Sequence, residues 1–183
     1  LRDALKNARV DSLTGLYNRQ AISREISRFL GSPTCTRAVL LFMDLDDFKR
    51  INDTMGHRSG DYALRCVADL FRHTLRATDM VGRIGGDEFV ALLTGISAKE
   101  GGVECAKRLC EAVGSMEDPN LGGLRLSCSI GGAICPKDGT DYDTLFVKAD
   151  TAAYEAKRLG KNRYVFYTPG LELKNGYCTS SMS

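Results

Sequence analysis

Residues 81–89 read VGRIGGDEF, from Val81 to Phe89, and set two adjacent carboxylates, Asp87 and Glu88, directly after a glycine pair. The flanking runs, MVGRI (80–84) and FVALL (89–93), are short and apolar, the pattern of two strands joined by a tight turn. Gly85 and Gly86 suit a hairpin turn whose central residues need positive φ. Asp87 and Glu88 do not suit it, because both are poor strand formers. Negative charge at this place therefore serves something other than local structure.

Outward from the hairpin, helical and strand-like segments alternate. NRQAISREISRFL (18–30) has helical spacing, RAVLLFM (37–43) is a continuous buried strand, and GDYALRCVADLFRHTL (60–75) is an amphipathic helix. Beyond the hairpin, AKEGGVECAKRLCEAVGSM (98–116) is a helix and LRLSCSIGGAIC (124–135) is a strand interrupted by glycines. DTLFVKADTAAYEAKRLG (143–160) is a helix ending at Gly160, and NRYVFY (162–167) is the last strand. This order implies an α/β fold, with a mixed central sheet, flanking helices and a central hairpin. LRDALKNARV (1–10) reads as the end of a lead-in helix. After Pro169-Gly170 the pattern breaks, so the folded unit is placed at 11–168 and a linker or tail at 169–183.

Composition narrows the class. With 183 residues, 43% hydrophobic and 26% charged, the chain is long enough for one domain with a sizeable core. A formal net charge of +2 argues against bulk nucleic-acid or membrane binding. The seven cysteines are odd in number and form no CxxC pair, which favours reduced thiols and a cytoplasmic domain over a disulfide frame or zinc site. No run approaches the ~18 apolar residues of a membrane span.

The strand AVLLFM runs straight into Asp44-Leu-Asp-Asp47, which sets Asp44 at a sheet rim. If that rim adjoins the Asp87-Glu88 tip, two carboxylates about 4 Å apart repel by roughly 4 kcal/mol at an effective dielectric near 20. A cation reverses the sign. Hard oxygen donors with no His or Cys beside them suit Mg²⁺ or Mn²⁺, ions that usually bring substrate phosphates. For any one of these aspartates alone, a solvated acidic turn or a helix cap is the simpler explanation; their combination favours the ion.

Gly85-Gly86-Asp87-Glu88-Phe89 also spells the signature of the GGDEF family of diguanylate cyclases. The chain further shows DSLTGLYNR (11–19), MDLDDFKRINDTMGHRSGD (43–61), SIGGA (129–133) and KADTAAYEAKRLGKN (148–162), in that family's order and spacing. The sequence resembles a GGDEF domain over nearly all of 11–167. The resemblance implies a palm-like fold similar to nucleotidyl cyclases and polymerases. It also implies an activity: two GTP molecules joined into cyclic di-GMP, with release of pyrophosphate, between two domains that each hold one GTP.

Carried over residue by residue, the resemblance makes Asp44, Asp87 and the Leu45 carbonyl ligands of divalent metal. Glu88 becomes a base or positioning group; strand geometry points adjacent side chains opposite ways, so Asp87 and Glu88 divide the two roles in an order left open. Guanine is read at Asn52 and Asp61, with His57 close by in the same loop. An aspartate accepts from the guanine N1–H and N2–H₂, which adenine does not offer, although Gly60-Asp61 also reads as the cap of the following helix. Lys49, Lys157 and Lys161 occupy the positions that meet the triphosphate. Arg158 has no matched role and complements a helix dipole.

Arg76-Ala-Thr-Asp79 matches the family's RxxD site, where cyclic di-GMP binds as inhibitor. Here the chain departs from its relatives, because Cys110 stands where they carry a further Arg on the following helix. Arg108 lies about 200° around that helix from Cys110, so helical geometry alone does not make it a substitute.

Overall fold

The computed structural model describes residues 9–96 and 99–171. Its centre is strand β1 (Ala38–Leu45), eight residues that are all buried. β1 lies between β3 (Glu88–Thr94) and β4 (Cys128–Cys135), antiparallel to both. β2 (Met80–Arg83) pairs antiparallel with β3, and β5 (Arg163–Phe166) runs parallel to β4, giving the order β2-β3-β1-β4-β5. The mixed α/β sheet and its hairpin are as the sequence implies.

A two-residue period along β1 assigns the two faces of the sheet. Val39, Leu41, Met43 and Leu45 pack beneath α2 (Phe48–Met55), α3 (His57–Thr74) and α4 (Lys99–Gly114). Ala38, Leu40 and Phe42 pack beneath α1 (Arg19–Leu30) and α5 (Tyr142–Arg158). Asp44 is next in the even series and so belongs to the α1/α5 face. The glycines of β4 do not interrupt the strand. At Gly131 a Cβ would collide with the backbone of Ala149 and Ala153, so its absence lets α5 lie directly on the sheet.

Several boundaries differ from the sequence reading, among them the strand expected from residue 124, which starts at Cys128. The helix expected from residue 60 starts at His57, and a separate helix, α2, precedes it, divided from it by Gly56 at φ 82°. Phe48, Ile51 and Met55 do recur at helical spacing, but eight residues fall short of the roughly 11- to 18-residue window over which that period is read. At the start, Val10 bridges Tyr17 and the Asn18 N–H donates to the Arg9 carbonyl, so residues 9–10 are extended rather than helical. At the end, Tyr167 and Leu171 bury themselves beside Ala152, which carries packing past residue 168. The lead-in over 1–8 and the tail over 172–183, with Cys178, lie outside the described residues.

Candidate active site

The register of β1 and β3 decides the site. Asp44 is paired directly with Glu88, and directly opposed residues share a face with Cβ atoms about 5 Å apart. Like charges so placed repel. Asp87 closes the corner, its carbonyl accepting the Leu45 N–H at 3.1 Å. Asp44 is thus at the rim in chain position but is only 7% exposed, more deeply set than a strand end needs to be.

α5 supplies the counter-charge. Lys157, in its last turn, places Nζ 2.7 Å from Asp44 Oδ2. Burial pushes the Asp44 carboxyl up to about 6, with the fields of Asp87 and Glu88 adding to the effect and Lys157 opposing it. Burial works against the charge on Lys157, and its bond to Asp44, with the fields of Asp44, Asp87 and Asp46, outweighs that and raises its pKa. Asp150 stands two helical turns before Lys157 on the same side of α5. Its carboxyl is raised by burial and by Glu88, and lowered by Lys157. Sequence reasoning gave Asp150 no role; its seven-residue spacing from Lys157 is the signal that marks it.

The turn that carries Asp87 is clamped from both sides. Arg19 Nε donates to the Ile84 carbonyl at 2.7 Å. Arg83 donates to the Gly86 carbonyl from Nε at 3.0 Å and Nη2 at 2.8 Å, while its Nη1 holds Asp11 Oδ1 at 3.1 Å. Asp11 is in turn fixed by the Thr14 N–H and hydroxyl. The segment 11–19 therefore acts as a brace for the turn, a role the sequence reading missed. The glycine pair also differs from expectation, since neither Gly85 nor Gly86 has positive φ. At Gly85 a Cβ would lie 2.8 Å from Glu88 Oε2, so a side chain there would displace the end of the Glu88 carboxylate.

Two residues beyond Asp44, Asp46 ties the rim together. It accepts from Ser127 Oγ at 2.6 Å, Ser129 Oγ at 2.7 Å and the Asn162 N–H at 3.0 Å. The two loops it joins contain all three positive-φ non-glycine residues among those described, Asp47, Lys161 and Asn162. Such strain concentrates at sites whose surroundings enforce it. α5 ends at Arg158, so Lys161 leaves the helix and reaches Asp47 Oδ1 at 2.6 Å instead of continuing the face of Lys157. Arg158 does more than complement a dipole, gripping the buried Glu155 through two 2.7 Å bonds.

α2 and α3 bring the remaining residues together. The Asn52 side chain occupies the space where a Cβ on Gly60 would stand, which sets it beside Asp61. Because α3 begins four residues earlier, Asp61 lies inside the helix and cannot cap it. His57 opens α3 and is not in a loop. Asp61, His57 and Lys49 are exposed, and none of their side chains makes a hydrogen bond or ion pair with another described residue.

Among the described residues, no three His, Cys, Asp or Glu side chains converge closely enough to hold a metal ion unaided. The donors nonetheless fit a hard divalent cation. Asp44, Asp87, Glu88 and the Leu45 carbonyl offer only oxygen, and Asp44 is a buried carboxylate that its single lysine leaves incompletely neutralised. Mg²⁺ commonly takes one or two carboxylates and completes its shell with water and phosphate.

A second cavity, of about 120 Å³, lies away from this rim and is lined by Arg76, Asp79, Thr94, Ile96, Cys105 and Arg108. Asp79 accepts from the Arg76 N–H at 3.0 Å and the Thr94 N–H at 2.9 Å, which fixes the loop onto β3. Cys110 turns inward, its Sγ 3.8 Å from the Cys128 carbonyl. Arg108, set aside on helical geometry, shares the cavity with Arg76 and Asp79. No helix among the described residues is long and apolar enough to cross a membrane.

Comparison with known proteins identifies the family and the fold. The family model described as diguanylate cyclase, GGDEF domain matches residues 8–163. The bifunctional diguanylate cyclase/cyclic di-GMP phosphodiesterase MucR of Pseudomonas aeruginosa is 37% identical over 170 residues, covering 91% of this chain and 24% of that protein. The diguanylate cyclase DgcS of Shewanella oneidensis is 35% identical over 161 residues, 86% of this chain and 52% of that protein. This chain therefore spans about a quarter to a half of the length of these relatives. The solved GGDEF domain of TpbB, or YfiN, from Pseudomonas aeruginosa superposes with a TM-score of 0.86 at 30% identity, covering 92% of this chain and 99% of that one. With the acidic edge, its braced turn and this match over most of its length, the chain belongs to the GGDEF domain family.

Proposed function

We propose that this domain is a diguanylate cyclase that condenses two GTP into cyclic di-GMP and two pyrophosphates. The observation that carries the reading is the register pair of buried Asp44 and half-buried Glu88, backed by half-buried Asp87 and Asp150 at the same edge, with Lys157 as the only cation on Asp44 among the described residues. So much like charge in so little space favours a site that receives cations and phosphates over one that contributes to stability.

In this reading Asp44, Asp87 and the Leu45 carbonyl hold Mg²⁺ or Mn²⁺. When bound, the ion supplies a lower pKa for the attacking hydroxyl, polarisation of the phosphate and neutralisation of the departing charge. Glu88 faces the same side as Asp44, where it orients the 3′-hydroxyl or takes its proton. Lys49, Lys157 and Lys161 meet the triphosphate from two sides. Asp61, exposed and partnerless among the described residues, accepts from the guanine N1–H and N2–H₂, with Asn52 and His57 beside it. One domain holds one GTP, so two copies face each other during turnover.

The Arg76, Asp79 and Arg108 cavity is our candidate for feedback by the product. Two guanidinium groups from the same chain offer paired donors to phosphate and guanine oxygens, which compensates for Cys110 at the departed position.

Incubation of the purified domain with GTP and Mg²⁺, followed by mass spectrometry of the products, tests the proposal. Cyclic di-GMP should form, at a rate per domain that rises with protein concentration. Tight GTP binding with no product at any concentration would overturn it in favour of a silent binding module.

A further inference from the structure

We propose that Lys157 is a built-in stand-in for the divalent cation, and that loading the site exchanges it from Asp44 to the incoming phosphates. The inference rests on the metal-binding reading above and adds a coupling that the reading does not contain.

Lys157 Nζ sits 2.7 Å from Asp44 Oδ2, the geometry of a direct ion pair. Among the described residues it is the only hydrogen-bonding or ion-pairing partner of the Asp44 carboxylate. The Asp44 side chain is 10% exposed and Lys157 is 38% exposed, so the ammonium reaches inward from the surface and closes over the carboxylate. A divalent ion on Asp44 would compete with this ammonium for the same carboxylate charge, and two cations on one carboxylate repel. The ion pair thus solves the problem of a buried acidic edge without ligand, at the expense of competing with the ligand.

The side chain can leave. Four methylenes and a position in the last turn of α5 let Nζ swing outward without moving the helix. Outward lies the open side of the rim, where Lys161 already marks a second positive charge on Asp47. A triphosphate arriving there offers the displaced ammonium a new partner, so ion and nucleotide each favour the other's binding. Lys161 differs in one respect that matters for a control: its pair with Asp47 is exposed on both sides, at 43% and 58%, and does not touch Asp44.

Titration of the nucleotide-free domain with Mn²⁺, read by the electron paramagnetic resonance signal of the free ion, tests the exchange. Lys157→Met should bind Mn²⁺ more tightly than the parent, by a factor within the roughly 5- to 150-fold typical of coupled sites. Lys157→Arg, which keeps the cation, should stay within about twofold of the parent, and so should Lys161→Met. Asp44→Asn should lose binding at this site. Equal affinity in Lys157→Met and the parent, with binding still lost in Asp44→Asn, would overturn the exchange and leave the metal reading standing. Unchanged binding in Asp44→Asn would overturn the metal reading itself. A urea midpoint measured for each variant confirms that the titrated protein is folded.

Discussion

Asp44 and Asp46 leave the same strand two residues apart, and each is 7% exposed, yet their surroundings are opposite. Asp46 accepts three short hydrogen bonds from Ser127, Ser129 and Asn162, donors that come from the β4 end and the α5–β5 loop. Asp44 faces Glu88 across the ladder, feels Asp87, and has one lysine. Equal burial therefore says nothing about purpose; the partners do. A carboxylate whose lone pairs are filled by fixed donors is a structural tie, whereas one crowded by like charge waits for a ligand.

Substitution at Asp44 should separate the two most sharply. Asp44→Asn removes a charge from a repulsive cluster, so the metal-free fold should be kept or stabilised while cyclisation falls. Loss of several kcal/mol of transition-state charge stabilisation corresponds to about a thousandfold or more in rate. Comparable turnover of GTP by the Asn variant would remove Asp44 from the metal site. At Asp46 the expected effect is on folding instead. Asp46→Ala removes the acceptor of two serine hydroxyls and a backbone N–H, of which the Ser129 hydroxyl is buried, at a cost of about 2 kcal/mol. Urea unfolding measures it, and a loss below about 1 kcal/mol would mean the rim does not depend on this tie.

The comparison also has a pH signature. In the folded protein the Asp44 carboxyl stands at about 6, above its ordinary 3.8, so the folded state binds the proton more tightly than the unfolded one. The stabilisation from that proton is complete below about 4 and is lost as pH rises through about 6. Without metal, the domain should gain about 2 kcal/mol between pH 7 and pH 4 from Asp44. Asp150, raised in the same direction, adds to it. Urea midpoints in chelator at pH 7 and pH 5 read this out, and Asp44→Asn should flatten most of the rise. A parent protein already flat across that range would contradict the frustrated state of Asp44.

Asp61 supplies a third case, exposed and inside a helix, with no partner among the described residues. Asp61→Ser should leave stability nearly unchanged while the preference for GTP over ATP shrinks by the ~1–3 kcal/mol attached to a lost partner. Competition between the two nucleotides measures the ratio, and an unchanged ratio would leave guanine recognition elsewhere.

Much of this was legible in the chain itself. The apolar run 37–43 and the VGRIGGDEF turn carry strand and hairpin chemistry in their composition, and the quoted motifs carried the family. Alternation along β1 even assigns Asp44 to a face once the strand is known. The helix α2 was not legible because it is only eight residues long, so the helical spacing of Phe48, Ile51 and Met55 runs its course within two turns. Nor was the start of α3, where Gly60 reads as a boundary until Asn52 is seen to occupy its empty Cβ position.

Local sequence alone set the order of elements, the acidic residues at two strand ends, and the lysines at and just past the end of the last long helix. Those follow from local periodicity and residue chemistry, which act over a few positions. The tertiary structure alone decided that Asp44 opposes Glu88, that Lys157 and not another cation covers Asp44, and that Arg108 shares a cavity with Arg76 while Cys110 turns to the core. Each of these depends on register or on the rotation of a helix against the sheet. Packing sets such quantities between segments far apart in the chain, and a shift of one residue in register reverses the face on which every side chain of a strand falls.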